Sequence, residues 1–145
     1  ASGVASYRVR LLGDNGTTAV AAAVSTIDAY QDASIPAGTN RRVSMNMWSS
    51  VLILAGSSPG TLINSLIVTY EFFNGSTSLG AATTIGTAST TDYSGRAYSV
   101  KSVAVPATAT KVRVRARANV TWTSAAGATN SDIRLYTDAL AVTIP

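Results

Sequence analysis

The sequence predicts an all-β protein, a two-sheet antiparallel sandwich of about eight strands. Three observations carry this. Residues 107–119, Ala-Thr-Ala-Thr-Lys-Val-Arg-Val-Arg-Ala-Arg-Ala-Asn, alternate strictly, with Lys111, Arg113, Arg115 and Arg117 on one side and Val112, Val114, Ala116 and Ala118 on the other. A period of two marks a strand half buried against a core. Turn signals recur at Gly13-Asp-Asn-Gly16, Pro36-Ala-Gly38, Ser58-Pro-Gly60, Asn74-Gly75, Tyr93-Ser-Gly95 and Ala125-Ala-Gly127, each rich in residues that accept turn geometry. Between them lie segments of β-branched residues and tyrosine at sandwich-like spacing.

The strands are expected over residues 5–12, 19–34, 41–54, 62–73, 79–89, 96–105, 110–123 and 132–144, with boundaries good to ~2–4 residues. The first holds the alternating Tyr7-Arg-Val-Arg-Leu11, whose Arg8 and Arg10 could join the other arginines. The second opens on Ala19-Val-Ala-Ala-Ala-Val24, which on propensity alone could be helical, but its continuation Ser25-Thr-Ile-Asp-Ala-Tyr-Gln31 argues for strand. In the third, Arg42-Val-Ser-Met-Asn-Met-Trp48, the inward set is Val43, Met45 and Met47, which places Trp48 outside with Ser44 and Asn46. The fourth, Leu66 to Phe73, is apolar on both faces, with Tyr70 and Phe72 on one side and Ile67, Glu71 and Phe73 on the other. The fifth crosses a Ser/Thr-rich stretch with Ile85 inward, and the sixth follows the Tyr93-Ser-Gly95 turn. Parity in the seventh carries Val120 and Trp122 inward with Val112 and Val114. The eighth closes the chain, and one domain is expected over 1–145.

Composition narrows function mainly by exclusion. A chain of 145 residues can bury ~70% of its unfolded surface, so it needs no disulfide or metal to fold. Cysteine and histidine are both absent, and there are only two lysines and one glutamate, Glu71. The usual general bases at neutral pH are therefore nearly all missing, and no enzyme is expected. A Ser-His-Asp arrangement cannot be assembled. Paired-carboxylate hydrolysis would need Glu71 to face Asp28 or Asp138, while Asp14 and Asp92 sit in turn contexts where aspartate serves local hydrogen bonds. The net charge of +4 and pI of about 9.8 attract anions, but a Debye length of ~8 Å at physiological salt confines that pull to close range. The longest apolar run is Val51-Leu-Ile-Leu-Ala55, far below the ~20 residues of a membrane-spanning helix, so no membrane insertion is expected.

The serial order of Tyr30-Gln-Asp-Ala-Ser-Ile-Pro-Ala-Gly-Thr39, Arg42 to Trp48, Val68-Thr-Tyr-Glu-Phe-Phe-Asn-Gly75 with Leu79-Gly80, Ala97 to Ala107, Ala109-Thr-Lys-Val-Arg-Val-Arg115 and Leu135-Tyr-Thr-Asp-Ala-Leu140 resembles the carbohydrate-binding-module jelly rolls of the family 4/9 and galactose-binding-like type, over residues 25–145. The resemblance implies a jelly-roll β-sandwich. It also implies a glycan-binding platform built on Trp48, with Tyr30, Tyr93 or Tyr98 as neighbours. The sandwich is reused for adhesion and protein contacts, so fold alone does not assign sugar binding. Family members commonly open on an Asn-Pro-Gly-Phe-Glu-like segment and close on an Asp-Asp pair that helps hold calcium. Here the opening is missing and Asp138 is followed by Ala139. Calcium takes six to eight oxygen ligands, and with so few acids no metal or cofactor is expected.

Two constellations remain as candidate sites. The ladder of Lys111, Arg113, Arg115 and Arg117 could clamp sulfate, uronate or phosphate. Equally it could be a solvated face whose arginines pair with Glu71 or Asp28 or lie over aromatic rings. It contains no interleaved aromatics, which speaks against nucleic acid. Trp48 fits a sugar platform, the anchor of a protein interface, or burial under a loop. Asn15-Gly16 and Asn74-Gly75, though within glycosylation sequons, read as hairpin turns.

The start Ala1-Ser-Gly-Val has neither a basic leader nor an apolar h-region. This fits a cleaved secreted protein or a virion component. The expectation is a non-catalytic surface accessory protein, at a virion surface or extracellular. Its partner would be a protein lattice or copies of itself in a homo-oligomer, as in a phage capsid-decoration or tail-associated protein, with cell-surface glycans as a weak second partner. The rival expectations are a glycan-binding module of a secreted polysaccharide-degrading system, and a subunit of an extracellular filament in which the strand Val4 to Leu12 is donated to a neighbour.

Overall fold

Alternation becomes pairing in the computed structural model, which describes residues 7–13, 20–53, 62–88, 93–124, 131–138 and 141–144. The strands are β1 (Tyr7–Gly13), β2 (Val20–Ser34), β3 (Arg42–Ile53), β4 (Leu62–Asn74), β5 (Thr77–Ser78), β6 (Thr83–Ala88), β7 (Tyr93–Ala104), β8 (Lys111–Ser124), β9 (Ser131–Thr137) and β10 (Ala141–Thr143). All pair antiparallel.

The strands form two sheets. In sheet A, β1 pairs with β9, and β9 and β10 share one edge of β3 while β7 takes the other. In sheet B, β2 pairs with β8, β8 with β4, and both β5 and β6 lie along the far edge of β4. Counting β5 with β6 and β9 with β10 as one position each turns ten strands into eight. Those positions run first, eighth, third, sixth across sheet A and second, seventh, fourth, fifth across sheet B. This is a jelly roll: the chain crosses between sheets at nearly every connection, and each sheet mixes early and late strands.

Inward parity fills the space between the sheets. Val43, Met45, Met47 and Val51 of β3 and Ile133 and Leu135 of β9 meet Leu66 and Val68 of β4, Ile27 and Ala29 of β2, and the row Val112, Val114, Ala116, Ala118 and Val120 of β8. Tyr70 and Phe72 pack on this core edge to face, with ring centroids 5.7 Å apart. Burial of this kind contributes roughly 25 cal/mol per Å² of apolar surface and dominates the stability of a sandwich.

Four expectations are corrected. The predicted strand 79–89 begins only at Thr83, because the Asn74-Gly75 turn, with Gly75 at φ 58°, sends Thr77–Ser78 back along Phe73–Asn74 as β5. The predicted last strand is divided into β9, ending at Thr137, and β10, from Ala141: the Asp138 amide still bonds the Trp48 carbonyl in register at 2.9 Å, but β10 pairs with β3 in a register shifted by one residue. Tyr93-Ser-Gly95 is strand instead of turn. Between Val51↔Tyr93 and Ser49↔Arg96 the β7 side holds one extra residue, a bulge in which Gly95 adopts φ 90°. Tyr98, expected on a ligand platform, is 4% exposed. It shares parity with Val100 and points between the sheets, where Gly86 of β6 makes room: a Cβ there would lie 2.8 Å from the Tyr98 ring. The predicted turns at 13–16, 58–60 and 125–127 fall wholly or partly outside the described residues, and the side chains of Arg10, Tyr93 and Trp122 are likewise not among those described.

Candidate functional site on the two outer sheet faces

Alternation sends the second half of each strand's side chains outward, so each sheet offers one solvent face. On sheet A, β3 directs Ser44, Asn46 and Trp48 outward and β7 places Ala97 opposite Trp48 and Ser99 opposite Asn46. Trp48 is 38% exposed, with its indole lying over Gly95. Beside it runs a shallow groove of about 310 Å³ lined by Ser44, Asn46, Ala97, Ser99, Lys101 and Thr143. A second bulge, between Val43↔Val103 and Met45↔Val100, closes the far end. There Ser102 stands at φ 54°, its amide donates to Ser44 Oγ at 3.0 Å, and Arg42 Nη1 donates to its carbonyl at 2.6 Å. Small hydroxyl and amide side chains next to one partly exposed indole can hydrogen-bond a hydroxylated ligand while stacking on one of its faces.

Tyr30 does not belong to that site. It lies on β2, 53% exposed on the outer face of the other sheet. Of the expected aromatic cluster, then, Trp48 keeps its place, Tyr98 is core, Tyr30 is on the opposite face, and Tyr93 pairs through its backbone with Val51.

The outer face of sheet B is organised in cross-strand rows. Read from β2 through β8 to β4, the register sets Asp32, Arg113 and Glu71 in one row, Tyr30, Arg115 and Thr69 in the next, Asp28, Arg117 and Ile67 in the third, and Thr26, Asn119 and Ser65 in the fourth. Arg113 and Arg117 each donate two bonds to the aspartate beside them: Nε and Nη2 of Arg113 to Asp32 at 2.7 and 3.0 Å, and those of Arg117 to Asp28 at 2.8 and 2.9 Å. Lys111 reaches Asp32 diagonally at 3.1 Å. The Arg113 guanidinium lies 3.9 Å from the Tyr30 ring centroid, and Arg113 and Lys111 both cover Phe73 at 5.0 Å. Phe73 is thereby buried on the outer face. Glu71 accepts from Ser78 Oγ. Thr26 and Asn119 continue the pattern with neutral bonds, the Asn119 amide donating to Ser65 at 2.9 Å. The ladder is therefore largely self-neutralised and does carry aromatics, supplied by neighbouring strands.

These pairs shift the carboxyls. The hydrogen bond from Arg117 holds Asp28 below its ordinary 3.8 against the opposing effect of burial, and the hydrogen bond from Arg113, helped by Lys111, does the same for Asp32. A carboxyl lowered in the folded state contributes stability that is complete above the unfolded value and lost as pH falls through the folded one. Stability is thus expected to drop below about pH 4. Each pair should contribute about 0.5 kcal/mol, since both are partly solvated. Urea melts at pH 6 and pH 3 check this: Asp28→Asn with Asp32→Asn should flatten the pH dependence.

Two further features were not anticipated from the sequence. Asp32 could have been found, since Asp28-Ala-Tyr-Gln-Asp32 places both aspartates on one strand face with Tyr30. Arg41 gives no such signal. It is 9% exposed and donates to four backbone carbonyls, Pro36 at 2.6 Å, Ala109 at 2.9 Å, Pro106 at 2.8 Å and Ala107 at 2.7 Å.

No family model and no curated protein matches the chain. Among solved structures it is similar to a chain in the structure of infectious bursal disease virus, Gt strain, at 12% identity and a TM-score of 0.34. The match covers 97% of this chain and 39% of that one, so this chain spans about two fifths of its length.

Proposed function

We propose that this chain is a non-catalytic accessory protein of a virion surface, a capsid-decoration or tail-associated component that works by protein–protein assembly and touches glycans weakly. The observation that supports it best is the outer face of sheet B. That face is a broad, shallow surface, with Val24 75% and Tyr30 53% exposed on the same face as Arg113 and Arg117, which are paired with Asp32 and Asp28. Exposed aromatic and aliphatic groups set among arginine forks have the composition of an interface core. The interior between the sheets is taken up by packed side chains, so binding falls to the outer faces.

The second reading, a glycan-binding module of the carbohydrate-binding-module type, is favoured by Trp48 and its polar groove on sheet A. In the strand-donation reading, the place beside β9 would be filled by a neighbour; here it is filled by the chain's own β1 in register from Tyr7↔Thr137 to Gly13↔Ser131.

A glycan array that includes sulfated and uronic polymers, run with Trp48→Ala beside the parent, separates the first two readings. Assembly predicts at most weak, unselective signals, little changed in the variant. Strong selective binding abolished by Trp48→Ala would replace assembly with glycan recognition. Mass spectrometry of purified particles then asks directly whether the protein is a virion component.

A further inference from the structure

Register leaves one cation of the ladder without a carboxylate opposite it, although its field reaches Asp28 in the next row, which Arg117 already holds. Arg113 and Arg117 face aspartates across the β2–β8 pair, whereas Arg115 stands between Tyr30 and Thr69, neither of which can neutralise it. It makes no ion pair with a described residue, and its Nε is buried with no hydrogen-bond partner. A buried donor of a charged group left unsatisfied is costly and is normally met by a partner. The nearby carboxylates are committed elsewhere: Asp28 accepts both bonds of Arg117, Asp32 those of Arg113 and Lys111, and Glu71 the Ser78 hydroxyl.

Arg115 also lines a groove of about 240 Å³, with Ile67, Thr69, Ala82 and Arg117. This lies below the ~300 Å³ at which drug-sized pockets begin. It suits one side chain more than an extended ligand. Its walls are aliphatic at Ile67 and Ala82, hydroxylic at Thr69 and cationic at Arg115, which matches a carboxylate on a short methylene stem. A sugar would want an open aromatic face, and none of the described residues lining the groove is aromatic.

We propose that the Arg115 groove is the specificity point of the sheet B interface, receiving a glutamate or aspartate side chain from an acidic segment of a partner protein. This rests on the reading of that face as a protein interface. The exposed Tyr30 stands beside Arg115 on β2 and supplies apolar contact next to the ion pair.

The test is a titration of the full chain, followed by the arginine Nε–Hε and backbone amide resonances, with acetyl-Ala-Glu-Ala-Glu-Ala-amide, its glutamine counterpart, and oligogalacturonate. The expected result is a saturable shift of the Arg115 Nε–Hε resonance with the glutamate peptide only. Arg115→Gln should weaken binding about tenfold while leaving the Arg113 and Arg117 resonances, which report the intact sheet, in place. If both peptides shift the β2 and β8 amides and Arg115 does not respond, the interface stands and the carboxylate site falls. If neither peptide moves any sheet B resonance, both fall. A response to oligogalacturonate without one to the peptide overturns the protein partner in favour of an acidic glycan.

Discussion

Arg41→Met is expected to destabilise the protein by about 3 kcal/mol, the scale for removing one partner from a buried, charge-assisted network. The guanidinium spans two segments, residues 35–41 and 105–110, by bonding the carbonyls of Pro36, Pro106, Ala107 and Ala109. The Arg41 carbonyl meanwhile accepts from the Val105 amide at 2.9 Å. Methionine keeps the length and apolar stem but leaves four acceptors competing for water in a restricted space. For a domain of this size the loss corresponds to a fall in Tm of roughly 10 °C. Arg41→Lys should recover only part of it, since an ammonium has three donors and no planar fork. Urea denaturation decides: a midpoint within experimental error of the parent for Arg41→Met would show that the clamp is redundant. Arg42→Met is the control, because the adjacent arginine is exposed, with its strongest bond to the Ser102 carbonyl.

Gly95→Ala should be nearly as damaging, by about 3 kcal/mol, through two separable effects. At φ 90° an L-residue is strained whatever its surroundings, and its Cβ would also fall against Trp48 Cζ2 and within 2.8 Å of both Trp48 Cε2 and Ser50 Cβ. The indole must then leave β7, turning a partly covered ring into an exposed one. In a Trp122→Phe background, Gly95→Ala should therefore shift the Trp48 emission to the red as it lowers stability. A double-mutant cycle with Trp48→Ala separates the causes: the steric part disappears when the ring is gone, and the backbone part remains. If the two substitutions were additive, the ring would not rest on Gly95.

How far the sequence carried can be judged residue by residue. Parity alone placed Trp48 outside and Val43, Met45 and Met47 inside, and put Tyr70 and Phe72 on the face opposite Glu71 and Phe73, because a period of two within one strand is local information. The ladder's partners were harder. Asp28 lies 89 residues from Arg117 and Asp32 lies 81 from Arg113. Only the β2–β8 register decides that both aspartates meet arginines while Tyr30 meets Arg115. The same gap misplaced Tyr30 beside Trp48, since nothing local says which sheet a strand joins. Tyr98 was misassigned against its own pattern, for it alternates with Ala97 and Ser99 and falls in phase with the half-buried Val100. Arg41 and Arg42 are chemically identical neighbours with opposite fates, one buried and one exposed. A one-residue step at the start of β3, not residue type, separates them.

The pairing of β1 with β9 joins residues 7–13 to residues 131–137. No local cluster of strands can finish sheet A, because its order requires the first strand to wait for one of the last. Loop-closure entropy must be overcome before those contacts form, which places this topology among folders of milliseconds to seconds. During synthesis, the apolar inner faces of β3 and β4 emerge well before β9 exists to complete the sheet. The nascent chain therefore passes through a stage in which its core strands are made but unsealed, a stage most exposed to pairing with other copies.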